Sequence, residues 1–194
     1  MNGMITTTKY ENLDEVMKRI HAFKVTGVVE QTTCKESYTI GTGDKRVALL
    51  DYGAKANIAK SLVKRGCQVT VYPASTPASV ILKEKYDGIM LSNGPGDPEE
   101  NVQIIEEIKL LASSQTPIFA ICLGHQLMAL AHGFKTEKMK YGHHGANHPV
   151  KDLETGRVYI STQNHNFVIK EDSIDSAVAK PWFINVNDKT IEGV

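Results

Sequence analysis

The sequence predicts an α/β fold, an open and mostly parallel sheet with helices on both faces. Two observations lead to this prediction. From Arg46 onward, short apolar runs alternate with segments typical of helices. The runs themselves, such as VALLDYG at residues 47–53, are continuously apolar, as strands buried on both faces of a parallel sheet are. Parallel strands need helical crossovers, and the alternation supplies them.

Four strands are expected, near residues 46–52, 68–72, 87–91 and 117–121. Four helices are expected with them, over residues 54–66, 76–85, 98–114 and 123–133. Gly66 and Gly133 mark two of the helix ends, because glycine readily takes the left-handed conformation found there. After Phe134 the pattern changes to shorter segments, which predict strands and loops.

The N-terminal part of the chain has a different character. Residues 5–23 predict a short helix that begins near Asn12 or Asp14, with apolar residues at helical spacing. The following stretch, up to Gly43, is polar and rich in Thr and Gly, and it predicts a linker into the main domain.

Composition excludes several classes of function. The 194 residues include 22 basic and 22 acidic side chains, and no basic stripe suggests binding of nucleic acid or of a membrane surface. The polar N-terminus does not resemble a signal peptide, and no apolar run could span a bilayer. Three cysteines without a CxxC motif argue against a disulfide framework or a zinc ribbon. A reducing cytoplasm is therefore the expected location.

Cys122 is the candidate nucleophile. It follows the apolar run at 117–121 and precedes a helix that begins near Gly124. A sharp strand-to-helix turn exposes a nucleophile at the carboxyl edge of a sheet, and the following N–H groups can face an oxyanion. The helix N-terminus is expected to lower the pKa of the thiol. The alternative is a core cysteine that ends a strand.

Four motifs together resemble known proteins. AICLGHQLMALAHG at 120–133 resembles the nucleophile turn of class I glutamine amidotransferases, although Ala120 stands where the general pattern has Gly. SNGPGDP at 92–98 is similar to their glycine-rich oxyanion loop. KMKYGHHGANHPV at 138–150 and QNHNF at 163–167 narrow the resemblance to the small subunits of carbamoyl phosphate synthetases.

The resemblance implies a role for each matching residue. Cys122 would be the thiolate that attacks the side-chain amide of L-glutamine, and the backbone N–H groups of Gly94 and Leu123 would form the oxyanion hole. Five residues would hold the amino-acid end of glutamine: Gly96, Gln126, Asn164, Asn166 and Phe167. Asn166 departs from the family pattern, since many relatives have Gly there.

The resemblance also implies a reaction and a partner. Glutamine would be hydrolysed through a γ-glutamyl thioester, and the ammonia would pass to a large subunit that makes carbamoyl phosphate. No cofactor is expected in this chain, while ATP and Mg would bind the large subunit. The family's general base lies in a His-Pro-Glu motif that these residues lack, so we expect a fragment with little activity alone. Residues 1–44 would be the tail of an N-terminal domain and a linker, and residues 45–194 a truncated amidotransferase domain.

Two other functions stay open. The chain could be another amidotransferase of the superfamily, such as that of anthranilate or guanylate synthesis, or a non-catalytic module that binds a partner.

Individual motifs also have simpler explanations. The loop NGPGDP is an ordinary turn sequence. The cluster of His143, His144 and His148 lacks a matched carboxylate, so no metal site is expected. Cys34 and Cys67 are expected to be structural.

Overall fold

A computed structural model describes residues 2–194, and its central element is a five-stranded sheet. The strands are β1 Tyr38–Ile40, β2 Lys45–Asp51, β3 Cys67–Pro73, β4 Gly88–Leu91 and β5 Ile118–Ala120. Their spatial order is β1-β3-β2-β4-β5, and β1 alone pairs in the antiparallel sense. The prediction of an open, mostly parallel sheet is therefore confirmed, with each predicted strand found within two residues of its expected bounds.

The helices are α1 Leu13–Ala22, α2 Val28–Thr32, α3 Ala56–Val63, α4 Ala78–Lys83, α5 Val102–Ala112 and α6 Leu123–Ala131. Asn12 caps α1, because its side chain accepts hydrogen bonds from two N–H groups of the first turn. The helix predicted over 98–114 starts later than expected, after a 3₁₀ turn at Pro98–Glu100 that Asp97 caps. No helix within residues 2–194 is long and apolar enough to cross a membrane.

The stretch that the sequence assigns to a linker is in part regular structure. It contains α2 and the edge strand β1, which pairs with β3 through the register Tyr38↔Val71 to Ile40↔Val69. The prediction is wrong for these residues because a three-residue edge strand carries too short an alternation to be recognised. The main sheet consequently begins before residue 45.

Side chains of the central strand β2 point alternately to the two faces of the sheet. Ala48 and Leu50 join a core cluster that includes residues of α4, α5 and α6, while Leu49 joins a second cluster with Ala59 of α3. These three residues of β2 are at most 1% exposed. Burial on both faces explains why the strand is continuously apolar.

The chain after α6 forms a second, antiparallel sheet. Its strands are β6 Thr136–Asp152, β7 Val158–Ile169, β8 Phe183–Asn185 and β9 Ile191–Gly193. β6 and β7 form a long hairpin, β9 and β8 follow, and β8 pairs back with β6, so the sheet closes on itself. A small cluster of Ala129, Phe134, Ile169 and Ile191 joins this sheet to α6. The second sheet is thereby held against the helix that follows β5.

Candidate active site

Cys122 lies in a strained turn between β5 and α6. Its backbone has φ +52° and ψ −110°, and it is the N-cap residue of α6. A non-glycine residue in such a conformation costs of order 1–3 kcal/mol, so neighbouring contacts must hold it. Gly124 supplies them by donating from its N–H to Ser92 O at 3.1 Å and Ile121 O at 3.0 Å.

Gly124 also shows why this turn needs a residue without a side chain. A Cβ there would lie 2.6 Å from Leu91 O and 2.7 Å from Ser92 O, well inside contact distance. The helix therefore starts directly against the carboxyl end of β4. This packing brings Cys122 next to the loop that follows β4.

Two backbone N–H groups near Cys122 favour its thiolate form. They belong to Leu123, the first residue of α6, and to Gly94 in the loop after β4, and both lower the pKa of the thiol. A Cβ at Gly94 would lie 2.2 Å from Tyr52 O, so only glycine brings this N–H so close. These are the two donors that the sequence predicts for the oxyanion hole.

The charge state of Cys122 differs from the sequence expectation. Burial raises the pKa of its thiol above the ordinary value, and this outweighs the N–H groups of Leu123 and Gly94 and the nearby charge of Lys55, which all lower it. The prediction of a lowered pKa is therefore wrong for the free chain. The helix N-terminus contributes as expected, but the desolvation of a thiolate costs more.

Lys55 is held in place by two loops. Its backbone N–H donates to Asn93 Oδ1 at 3.0 Å, which ties the loop after β2 to the loop after β4. Asp51 fixes the same loop by accepting from the N–H groups of Gly53 at 2.9 Å and Ala54 at 2.7 Å. The backbone of Lys55 is therefore fixed beside the candidate nucleophile, while its side chain is exposed.

A cleft of about 690 Å³ gathers the predicted site residues around Cys122. The predicted residues that line it are Gly94, Gly96, Gln126, Asn164, Asn166 and Phe167. Others in the lining are not predicted: Thr32, Lys55, Asn93 and Thr162 are examples. Lys55 lies directly after the apolar run of β2, at the carboxyl edge of the sheet, and that position is the signal that could have found it. Thr32 gives no such signal, because it lies in the stretch taken as a linker.

Gln126 joins α6 to the second sheet. Its side chain is buried, and Nε2 donates to Phe167 O at 2.7 Å. The bond spans the gap between the first turn of α6 and strand β7. Gln126 thus positions β7 over the nucleophile in addition to lining the cleft.

Asn164 and Asn166 project from β7 to the ring of His144 on β6. The Oδ1 atoms lie 2.7 Å and 3.2 Å from the His144 ring nitrogens Nδ1 and Nε2. Asn166 does not have a positive φ, so the asparagine in place of glycine causes no backbone strain. The partner strand instead bends at Gly142 (φ +74°), where a Cβ would lie 2.6 Å from Asn166 Oδ1.

The histidines near the cleft are not placed to take a proton from Cys122. His165 uses both ring nitrogens, with Nδ1 3.0 Å from Phe167 O and Nε2 3.3 Å from Glu192. His125 Nε2 is shielded from solvent without a hydrogen-bond partner, and burial lowers its pKa to about 4. Within residues 2–194, no histidine hydrogen-bonds to the sulfur of Cys122. Among these residues, therefore, no histidine is placed to act as a general base toward Cys122.

Comparison with known proteins gives one matching family, described as "Glutamine amidotransferase class-I", over residues 48–194. The chain is similar to proteins named carbamoyl phosphate synthase small chain. The relative from Pseudomonas syringae is 53% identical over 76% of this chain and 39% of its own length. The relative from Listeria monocytogenes serotype 4b is 44% identical over 98% of this chain and 52% of its own length. The chain thus spans about half the length of the curated relatives it matches.

Solved structures share the fold at lower sequence identity. A putative GMP synthase subunit from Thermoplasma acidophilum has a TM-score of 0.62 at 20% identity, covering 73% of each chain. A glutamine amidotransferase from Thermotoga maritima has a TM-score of 0.58 at 16% identity, covering 76% of this chain and 69% of that one.

Replacement of Lys55 by Met should raise the pKa of Cys122 further, since the lysine charge stabilises the thiolate. The pH dependence of Cys122 alkylation by iodoacetamide, followed by peptide mapping, would show a midpoint at higher pH than in the unmodified chain. Lys60→Met, on the exposed side of α3, is the matched control and should leave the midpoint unchanged. An unchanged or lower midpoint in Lys55→Met would contradict the assigned electrostatic role.

Proposed function

The chain belongs to the class I glutamine amidotransferase family, and from this premise we propose that it carries the glutaminase site of a carbamoyl phosphate synthase small chain. The observation on which the proposal rests is the position of Cys122 in a strained turn at the N-terminus of α6, where it lines the same cleft as Gly94. Nucleophile and oxyanion donors are the minimal set for acyl transfer at an amide.

The proposed reaction uses the nucleophile and the N–H groups at the turn. The sulfur of Cys122 attacks the side-chain carbonyl carbon of glutamine, and the carbonyl oxygen becomes an oxyanion. The N–H groups of Gly94 and Leu123 stabilise that charge. Ammonia leaves, a γ-glutamyl thioester remains on Cys122, and water then releases glutamate. Because burial keeps the thiol largely protonated in the free chain, the attack requires removal of the thiol proton when substrate binds.

Recognition of glutamine is assigned to the walls of the cleft. We assign the amino-acid end of the substrate to Gly96, Gln126, Asn164, Asn166 and Phe167. Lys55 adds the positive charge that an α-carboxylate needs, since it lines the same cleft. Glutamine has a neutral side chain and a charged backbone end, so a cleft with amide groups near Cys122 and one cation suits it.

The proton transfers need a further group. A thiol nucleophile is activated by a base, and the leaving ammonia needs a proton. The family resemblance assigns both transfers to a His-Pro-Glu motif, which these 194 residues do not contain. The proposed amidotransferase domain begins before residue 45, because β1 at Tyr38–Ile40 belongs to its sheet.

The proposed partner is the large subunit of a carbamoyl phosphate synthetase. The support is the similarity to small chains of that enzyme, at 41% identity over the whole of this chain for the protein from Clostridium perfringens. Ammonia from Cys122 would pass to this partner, which would bind ATP and Mg and form carbamoyl phosphate. The assembly would work in the cytoplasm, and no nucleic acid or membrane is required.

Gly94→Ala should lower glutaminase turnover about 10²–10³-fold, the usual cost of losing one oxyanion donor. The reason is the 2.2 Å approach of the added Cβ to Tyr52 O, which forces the Gly94 N–H away from the sulfur. Glutamate release from a chain extended through the His-Pro-Glu motif is the assay.

Gly88→Ala is the matched control for this variant. It adds a Cβ to the glycine that begins β4, where the nearest neighbour would be Pro117 O at an ordinary 3.6 Å. The control should keep normal turnover and thermal stability. Normal turnover in Gly94→Ala would refute the oxyanion assignment.

The extended chain should release glutamate about 10²–10⁴-fold faster than the 194-residue chain, because a positioned acid–base group contributes that factor. Both proteins would be assayed with and without the large subunit. Comparable rates would mean that His125 or His165 acts as the base. Absence of activity in both, with normal folding, would instead support a non-catalytic partner-binding module.

A further inference from the structure

Three side chains from three strands of the second sheet meet beside the cleft. They are His143 of β6, His165 of β7 and Glu192 of β9. His143 Nδ1 lies 3.0 Å from Glu192 Oε1, and His165 Nε2 lies 3.3 Å from Glu192 Oε2. One ligand atom from each residue lies within 4.8 Å of the other two. The three side chains are at most 13% exposed, so water screens the group poorly.

The other nitrogen of each histidine is already bound to an acceptor. His143 Nε2 lies 2.8 Å from the carboxylate of Asp188, and His165 Nδ1 lies 3.0 Å from the carbonyl of Phe167. Both acceptors require an N–H, so in a neutral ring the proton sits on the nitrogen that faces Asp188 or Phe167. The nitrogens that face Glu192, which are His143 Nδ1 and His165 Nε2, then present lone pairs.

These lone pairs face the carboxylate oxygens of Glu192. Oxygen and nitrogen lone pairs at about 3 Å repel each other unless a ring proton or a metal ion lies between them. The Asn185 amide only approaches the pair, at 3.5 Å from His143 Nδ1 and 3.4 Å from Glu192 Oε1. Histidines that bind metals usually donate the other N–H to a carboxylate or a backbone carbonyl. His143 and His165 have one partner of each kind.

A second observation points into the same space. His125 Nε2 is shielded from solvent and has no hydrogen-bond partner among the described residues. It lines a cavity of about 300 Å³ together with His165 and Glu192. A buried ring nitrogen without a partner is costly, and a ligand in this cavity would satisfy it.

We propose that His143, His165 and Glu192 bind a divalent transition metal, with zinc as the best match. Two imidazoles and one carboxylate are a ligand set that zinc prefers, whereas calcium and magnesium prefer oxygen atoms alone. Ligand distances of about 2.0–2.2 Å require the three groups to rearrange around the ion by about 1 Å. The fourth position would be filled by water or His125.

The sequence does not predict this site. His143, His144 and His148 are neighbours along the chain, and they have no carboxylate close by in sequence. The structure separates His144, which contacts Asn164, and brings in Glu192 from a strand much later in the chain. The proposed site therefore has different members from the sequence cluster. It borders the cleft, since Cys122 and His165 line the same cavity, but its test does not depend on glutaminase turnover.

Zinc binding to the metal-free 194-residue chain would be measured by calorimetric titration, with cobalt as a spectroscopic probe of the ligands. The expected result is one zinc per chain and a rise in melting temperature. Cobalt should give a tetrahedral or five-coordinate visible spectrum without the charge-transfer band of a thiolate, since no cysteine belongs to the site.

The variants Glu192→Gln and His143→Ala should each weaken zinc binding at least about tenfold, while His21→Gln, at an exposed histidine of α1, should not change it. Glu192→Gln keeps the side-chain shape, so it also serves if His143→Ala fails to fold. No stoichiometric binding would overturn the proposal and would mean that protonated histidines neutralise Glu192. Binding retained in Glu192→Gln, or a cobalt–thiolate band, would overturn it as well.

Discussion

The left-handed backbone of Cys122 is the constraint on which the site depends. A turn with φ +52° and ψ −110° is unfavourable in isolation. It persists because β5 and α6 are each fixed by the sheet: Ile121 N–H donates to Leu91 O, Gln126 N–H donates to Cys122 O, and Gly124 packs on the end of β4. The strained turn places the sulfur at the loops that follow the strands.

The loops that follow β2 and β4 lie beside that sulfur. Gly94 reaches it only because the loop after β4 lies against Tyr52 O, and Lys55 lies near it because Asp51 and Asn93 fix the loop after β2. On the side of the cleft formed by the second sheet, the hydrogen bond from Gln126 to Phe167 O holds β7 against the cleft. Three separate parts of the chain are therefore arranged around one strained residue. This is the location expected for ligands in an open α/β sheet, outside the carboxyl ends of its strands.

The same arrangement explains which features the sequence could predict. The parallel strands are continuous apolar runs, and Cys122 with Gly124 stands at a recognisable strand-to-helix junction, so both can be found from pattern alone. The edge strand β1 cannot, because three residues give no periodicity. Lys55 and Glu192 could not be found in this way, because the residues near them in the structure lie far away in sequence. The raised pKa of Cys122 is not predictable, because it is caused by burial. Burial depends on tertiary packing, which a local sequence motif does not reveal.

We propose that the strained turn makes Cys122 the residue that receives the glutamyl group. The most direct test is to incubate a chain extended through the His-Pro-Glu motif with glutamine, quench with acid during turnover and map the products by mass spectrometry. The acid quench stops hydrolysis and preserves the thioester. A γ-glutamyl adduct is expected on the peptide that contains Cys122, and none on those with Cys34 or Cys67. A chain that shows no adduct on Cys122, or one on another cysteine, would contradict it.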